Sequence, residues 1–205
     1  MKKRLRLGII GGSFDPVHLG HLGIAEEARE AFRLDRVVFV PAAQPPHKGG
    51  RSLAPAKDRL RMVKLAIRDN PFFIASDIEM RRSGPSYTID TLREMRKAHP
   101  RAALFFIVGA DSLHDLHTWR SARDLVEEFE FIIIGRPGAK GPDYSMLKKS
   151  FGKARADRLR RNYIETEIFN ISATDIRRRI KAGRSIRYLV PKEVERHIVR
   201  RGLYA

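Results

Sequence analysis

Apolar residues along the chain fall into two kinds of stretch. Short continuous runs occur at Leu5–Ile10, Arg36–Pro41 (RVVFVP), Phe72–Ala75, Ala103–Gly109 (ALFFIVG), Phe129–Gly135 (FEFIIIG) and Tyr163–Phe169. Runs of this length that are apolar at consecutive positions predict strands covered on both faces. Between them the apolar positions recur every three or four residues. Leu22, Ala25, Ala28 and Phe32 predict a helix over Leu19–Arg33, with Glu26, Glu27 and Glu30 turned outward. Leu60, Val63, Leu65 and Ile67 predict a second over Ala56–Asn70. Further helices are expected from Ser86-Tyr87-Thr88 onward, at Ala122–Glu128, within RADRLRRN, over Asn170–Ile180 and over Pro191–Arg201.

Strand and helix alternate, which predicts an α/β chain with parallel strands and right-handed crossovers. The fold expected is a Rossmann-like, doubly wound parallel sheet in a single domain, with a small helical C-terminal part from about residue 172. In such sheets ligands lie beyond the carboxyl ends of the strands. The first strand ends there in Gly11-Gly12-Ser13-Phe14-Asp15-Pro16 and passes into a helix carrying His18 and His21. The two glycines let the backbone approach a ligand, and a helix N-terminus favours phosphate. Histidines three apart leave one helix face, where each can donate to a phosphate oxygen. The turn fits neither GxxxxGK[ST] nor GxGxxG. A metal site is disfavoured, because no HExxH motif and no cysteine supplies further ligands.

Other candidates reach the same edge. The fourth long run ends in Gly109-Ala110-Asp111-Ser112. The Pro- and Gly-rich stretch Ala42–Pro55 carries His47 and Lys48. Arg136 follows the fifth strand. Ser86, Tyr87 and Thr88 open one helix, and Ser172 and Thr174 open another with Arg177 one turn on. Hydroxyls at these points can simply cap their helices, or can contact a ligand as well. Trp119, the single tryptophan, can pack in the core or stack on a ring.

Composition narrows the classes. The 205 residues carry 41 Lys+Arg against 24 Asp+Glu, a net charge of +17, which favours anionic partners without selecting one. The absence of cysteine excludes disulfides and a cysteine nucleophile and suits a cytoplasmic location. No apolar run is long enough to cross a membrane, and the N-terminal pattern does not read as a signal peptide. No nucleic-acid module is visible, so nucleic acid is an unfavoured partner.

GGSFDPVHLGH resembles the signature of the HxGH nucleotidyltransferase superfamily. VPAAQPPHK, SGPSYTIDTL, GADSL with Trp119 downstream, GRPG, ISATDIR and YLVPKEVERHIVRRGLY follow in order, and together are similar to bacterial nicotinate-nucleotide adenylyltransferases from about Leu5 to Tyr204. The resemblance implies that ATP and nicotinate mononucleotide give deamido-NAD and pyrophosphate, a step of NAD biosynthesis, with Mg²⁺ arriving on ATP. It implies catalytic roles for His18, His21, Lys48 and Arg177. ATP would meet Gly11, Gly12, Ser13, Phe14, Gly109, Asp111, Arg136, Ser172 and Thr174 as well. The mononucleotide would meet Lys48, Ser86, Tyr87, Thr88 and Trp119, the pyridine on the tryptophan. The motif departs at Ala173, where the family more often has serine. Another HxGH adenylyltransferase, such as one using phosphopantetheine, and a basic nucleic-acid-binding protein are the alternatives. A homodimer is left open.

Overall fold

The computed structural model describes residues 4–46, 53–135, 141–166 and 171–205. Its sheet is built from β1 (Arg6–Gly12), β2 (Arg36–Pro41), β3 (Phe73–Ala75), β4 (Ala103–Gly109), β5 (Glu130–Gly135) and β6 (Tyr163–Glu165). The order is β3-β2-β1-β4-β5-β6, and every neighbouring pair is parallel. The eight α-helices of the described residues are α1 (Leu19–Ala31), α2 (Ala56–Ala66), α3 (Thr88–Ala98), α4 (Ala122–Glu128), α5 (Tyr144–Phe151), α6 (Lys153–Arg161), α7 (Ala173–Lys181) and α8 (Lys192–Arg201). This is the doubly wound Rossmann-like arrangement that the strand–helix alternation predicts.

Alternate strand residues feed two cores. Leu7, Ile9, Phe106, Val108, Phe131 and Ile133 face Ile89, Leu92 and Met95 of α3 and Leu125 and Val126 of α4. Ile10, Val37, Phe39, Ile107 and Ile132 face Ala25 and Ala28 of α1, Met62 and Val63 of α2, and Ile176, Val194 and Ile198 of α7 and α8. Because both faces are covered, the strands carry unbroken apolar runs. The order reverses at β1, which pairs with β2 on one side and β4 on the other. A crevice therefore opens beyond the carboxyl ends of β1 and β4.

Several boundaries are corrected. α1 stops at Ala31 and α2 at Ala66, with Phe32 and Ile67 leaving helical geometry as C-caps. Asn70 is not helical. Its side chain accepts the Phe72 N–H at 2.9 Å and turns the chain into β3. The tract between β5 and β6 holds two helices. Asp143 caps α5 by accepting the Ser145 and Met146 N–H groups, and Gly152, at φ +85°, separates α5 from α6. β6 ends at Glu165, and residues 167–170 lie outside the described set. No described helix is long and apolar enough to cross a membrane.

In α2 the inward positions include charges. Asp58 and Arg59 are buried beside Met62 and Val63, while Leu60 is only partly covered. Both charges are satisfied by partners distant in sequence. Asp58 meets His197 at 3.0 Å and Arg201 at 3.2 Å, which ties α2 to α8.

Candidate active site

Gly11 and Gly12, expected in the turn, are instead the last two residues of β1, paired with Val40 and Pro41, and with the turn that begins at Ser13 they border a cleft of about 440 Å³. Gly11, Gly12, Ser13 and His21 line it on the β1 side, and Gly109, Asp111 and Ser112 on the β4 side. Pro45 and Pro46 come from the loop after β2. Ser86, Tyr87, Thr88 and Trp119 complete the walls, with Glu79 and Arg120 beside them. Elements far apart in sequence thus converge on the sheet's switch point.

His21 is held on three sides. Its imidazole stacks on that of His18 with centroids 3.6 Å apart, and Phe14 meets it edge-on at 5.0 Å. The His18 backbone N–H donates to His21 Nδ1 at 3.2 Å. An Nδ1 that accepts carries no proton, so the neutral ring is protonated at Nε2 and donates from that edge. His18 is the N-cap of α1, only 6% exposed, and is not among the residues that wall the cleft. It backs His21 instead of sharing the cleft surface with it. Phe14 likewise lies behind the wall, buried, at φ +46°, with its ring against Phe39 at 5.8 Å.

Two charged side chains shape the turn. Asp15, 1% exposed, accepts the Tyr204 hydroxyl at 2.7 Å and the Ala54 N–H at 3.1 Å on Oδ1. Arg59, 2% exposed, donates to the carbonyls of Ala54, Ser13, Ala42 and Ala43 at 2.9, 2.8, 2.7 and 3.3 Å. One guanidinium therefore joins the turn after β1 to the loop after β2. Burial pulls its pKa below the ordinary guanidinium value, and the Asp15 charge opposes that pull. Burial first, and then the bond to Asp15, push the Tyr204 hydroxyl far up, so it remains a donor.

On the opposite wall, Ser86 and Gln44 exchange two bonds. Gln44 N–H donates to Ser86 Oγ at 3.0 Å, and Ser86 N–H to the Gln44 carbonyl at 2.9 Å. Ser86 thus pins the loop after β2 to the start of α3. The Tyr87 ring lies beneath the Arg120 guanidinium at 4.6 Å. The single Thr91 hydroxyl proton has its shorter contact with buried Glu79 at 2.6 Å, and the Tyr87 carbonyl is its longer alternative at 3.2 Å. The N-cap side chain, Tyr87, makes no capping bond to α3, whose first-turn N–H groups open beside Thr88. Trp119 is partly buried, braced edge-on by Phe106 at 6.2 Å, and lines the cleft.

Ser172, Thr174 and Arg177 are not among the described residues lining this cleft. Ser172 caps α7 by accepting the Thr174 N–H at 3.2 Å, so Ala173 leaves the cap intact. Arg177 reaches the turn through Asp15, donating to its carbonyl at 2.6 Å and standing 3.6 Å from Oδ2. Lys48, with His47, and Arg136 lie outside the described residues. Sequence reasoning missed Asp15, Arg59, Glu79 and Tyr204. The signal for Asp15 was present, a carboxylate inside the glycine turn. Nothing local marks the other three.

The cytidylyltransferase-like family model matches residues 9–179. A protein of Desulfitobacterium hafniense named probable nicotinate-nucleotide adenylyltransferase is 43% identical over 200 residues, covering 97% of this chain and 95% of the relative. One of the same name from Thermus thermophilus is 44% identical, covering 98% of this chain and 100% of the relative. The fold is similar to that of Plasmodium falciparum nicotinic acid mononucleotide adenylyltransferase complexed with NaAD. That match has a TM-score of 0.78, 24% identity and coverage of 98% of this chain and 97% of the other.

Proposed function

The chain belongs to the nicotinate-nucleotide adenylyltransferase family, and from that premise we propose how its cleft transfers AMP from MgATP to nicotinate mononucleotide. The observation that carries the reading is the position of His21. Its ring lines a cleft that also holds an aromatic plane at Trp119 and the first turn of α3, and its Nδ1 is taken by the His18 N–H, which leaves Nε2 as the donor.

A phosphate oxygen of the mononucleotide attacks the α-phosphorus of ATP. The new P–O bond forms as the bond from the α-phosphorus to the bridging oxygen breaks, and pyrophosphate leaves. The attacking group belongs to the substrate, so the protein aligns two anions and stabilises developing charge. His21 donates to the transferring phosphoryl group, while His18 fixes the plane and tautomer of His21. The Gly11–Ser13 backbone admits the triphosphate at the α1 N-terminus. Arg177, with Ser172 and Thr174, is assigned to the β- and γ-phosphates, and Lys48 to the repulsion between the two phosphate groups. Gly109, Asp111 and Arg136 are assigned to the adenosine side. Mg²⁺ enters as part of MgATP. Among the described residues no three His, Asp or Glu side chains are grouped to hold it alone, and magnesium commonly keeps waters and substrate phosphates as ligands.

The pyridine stacks on Trp119, and its carboxylate meets Tyr87, Thr88 and nearby backbone N–H groups of the first turn of α3, the Tyr87 N–H itself being turned to the Pro85 carbonyl at 3.1 Å. Two donors favour a carboxylate, because the NH₂ of a carboxamide would face another donor. Labelled ATP tests the reaction. Label at the α-phosphorus should appear in the dinucleotide, and label at the γ-phosphorus in pyrophosphate. Transfer of the γ-label to the mononucleotide would overturn the reading.

A further inference from the structure

Asp15 lies between the start of α1, with His18 and His21, and the helix carrying Arg177, and its contacts divide unequally. Oδ1 takes two donors, the Tyr204 hydroxyl at 2.7 Å and the Ala54 N–H at 3.1 Å. Oδ2 is buried and accepts no hydrogen bond from the described residues, with Arg177 3.6 Å away. Arg177 instead spends its hydrogen bonds on the Asp15 carbonyl at 2.6 Å and Thr174 Oγ1 at 3.2 Å. The carboxylate is thus turned so that its satisfied oxygen faces Tyr204, and its contact with Arg177 remains loose.

Tyr204 reaches Asp15 by a built route. Gly202 ends α8 in the left-handed region at φ +58°, and the Leu203 N–H returns to the Ile198 carbonyl at 3.0 Å. Such a glycine-ended helix reverses the chain. Tyr204 itself sits at φ +68°, a conformation costly for a residue with a Cβ. A hydrogen bond from a neutral hydroxyl to a carboxylate is among the stronger kinds and offsets that cost. α8 is anchored in turn to α2 through Asp58, His197 and Arg201. Arg59, the next residue of α2, holds the Ser13 carbonyl two residues before Asp15.

We propose that Tyr204 is a positioning residue for Arg177: by holding Asp15 Oδ1, it keeps the Asp15 carboxylate from closing on the Arg177 guanidinium, whose charge then serves the pyrophosphate leaving group. Without the hydroxyl, Oδ1 loses its shortest contact, and the nearby Arg177 becomes the donor toward which the carboxylate turns. A tighter Asp15–Arg177 pair draws the guanidinium off the phosphates. The assignment of Arg177 to pyrophosphate rests on the function proposed above.

The test is a double-mutant cycle on Tyr204→Phe and Arg177→Lys, read as magnesium pyrophosphate affinity by calorimetry, with melting temperature recorded alongside. Phenylalanine keeps the ring packing and removes only the hydroxyl. Tyr204→Phe alone is expected to weaken pyrophosphate binding about 10-fold, in the range for a displaced charge-assisted bond. In the Arg177→Lys background the same change is expected to cost less than about twofold, since the fork that Asp15 would capture is gone. Equal weakening in both backgrounds, no weakening by Tyr204→Phe, or no pyrophosphate binding by the unmutated protein overturns the proposal. Deamido-NAD formation by the unmutated protein is measured in parallel. Its absence together with a coupled cycle would reject the substrate assignment and leave the Tyr204–Arg177 coupling standing.

Discussion

Asparagine and glutamine at position 21 separate the two edges of the His21 ring. An asparagine oxygen falls near the place of Nδ1, which accepts the His18 N–H at 3.2 Å. A glutamine amide nitrogen falls near the place of Nε2, the edge assigned to the transferring phosphoryl group. His21→Asn therefore keeps the brace and removes the donor, and His21→Gln does the reverse. The brace is an ordinary hydrogen bond worth about 1 kcal/mol. A preorganised donor to a charged transition state is worth about 2.7–4 kcal/mol, or about 10²–10³ in kcat. His21→Asn should lower kcat by about 10²–10³ with little change in the urea midpoint. His21→Gln should recover about tenfold of that loss while unfolding about 1 kcal/mol more easily. Steady-state pyrophosphate release and urea denaturation read the two quantities. If His21→Asn keeps kcat within about twofold, the donor role of His21 is wrong. If both variants lose kcat equally, the tautomer argument fails.

Trp119→Ala should raise KM for nicotinate mononucleotide about tenfold or more, from the ~1–3 kcal/mol of an aromatic stack. KM for ATP should hold, and a change confined to ATP would remove Trp119 from the pyridine subsite. Arg59→Met should destabilise the fold by roughly 3 kcal/mol or more, because several partly buried carbonyls lose a donor that is itself buried, at about 1–3 kcal/mol each. An unchanged urea midpoint would contradict that accounting. The Asp58 carboxyl is raised by burial, but the bonds from Arg201 and His197 outweigh this and hold it below its ordinary value. A lowered folded pKa contributes stability above the unfolded value of about 4, and that contribution is lost as pH falls through the folded value. Asp58→Asn should thus cost stability at pH 7, and its gap from the unmutated protein should narrow under acid unfolding. A gap that stays constant to low pH would refute the assignment.

The elements most legible in the sequence were those whose signal is local. ALFFIVG became β4 over Ala103–Gly109 as the pattern predicts, because a strand buried on both faces has no polar position to confuse it. The histidines at the start of α1 were equally legible, but the strand does not break at Gly11-Gly12, which still pair with Val40 and Pro41. The region before β6 was legible only in part: RADRLRRN predicts α6, but α5 was missed, since the two helices together bury only Leu147, Phe151, Ala156 and Leu159 along otherwise basic sequence. The apolar spacing of α2 gave no hint that Asp58 and Arg59 point inward, because charge predicts exposure unless partners are known. Those partners are 139 and 143 positions away for Asp58. For Arg59 they are backbone carbonyls, which leave no trace in residue identity. Tyr204 was similarly hidden, 189 positions from Asp15. His18 was placed correctly on the helix start but stands behind His21, because stacking and burial decide which imidazole of an i, i+3 pair reaches the cleft.

The proposed reading of a carboxylate in the cleft is tested most directly by pyrophosphate release with MgATP and one of three acceptors offered in parallel: nicotinate mononucleotide, nicotinamide mononucleotide and phosphopantetheine. Release with the first at a kcat/KM about tenfold or more above the second, and none with the third, is the predicted result. Equal kcat/KM for the two pyridine mononucleotides would contradict the reading of the carboxylate by the N-terminus of α3.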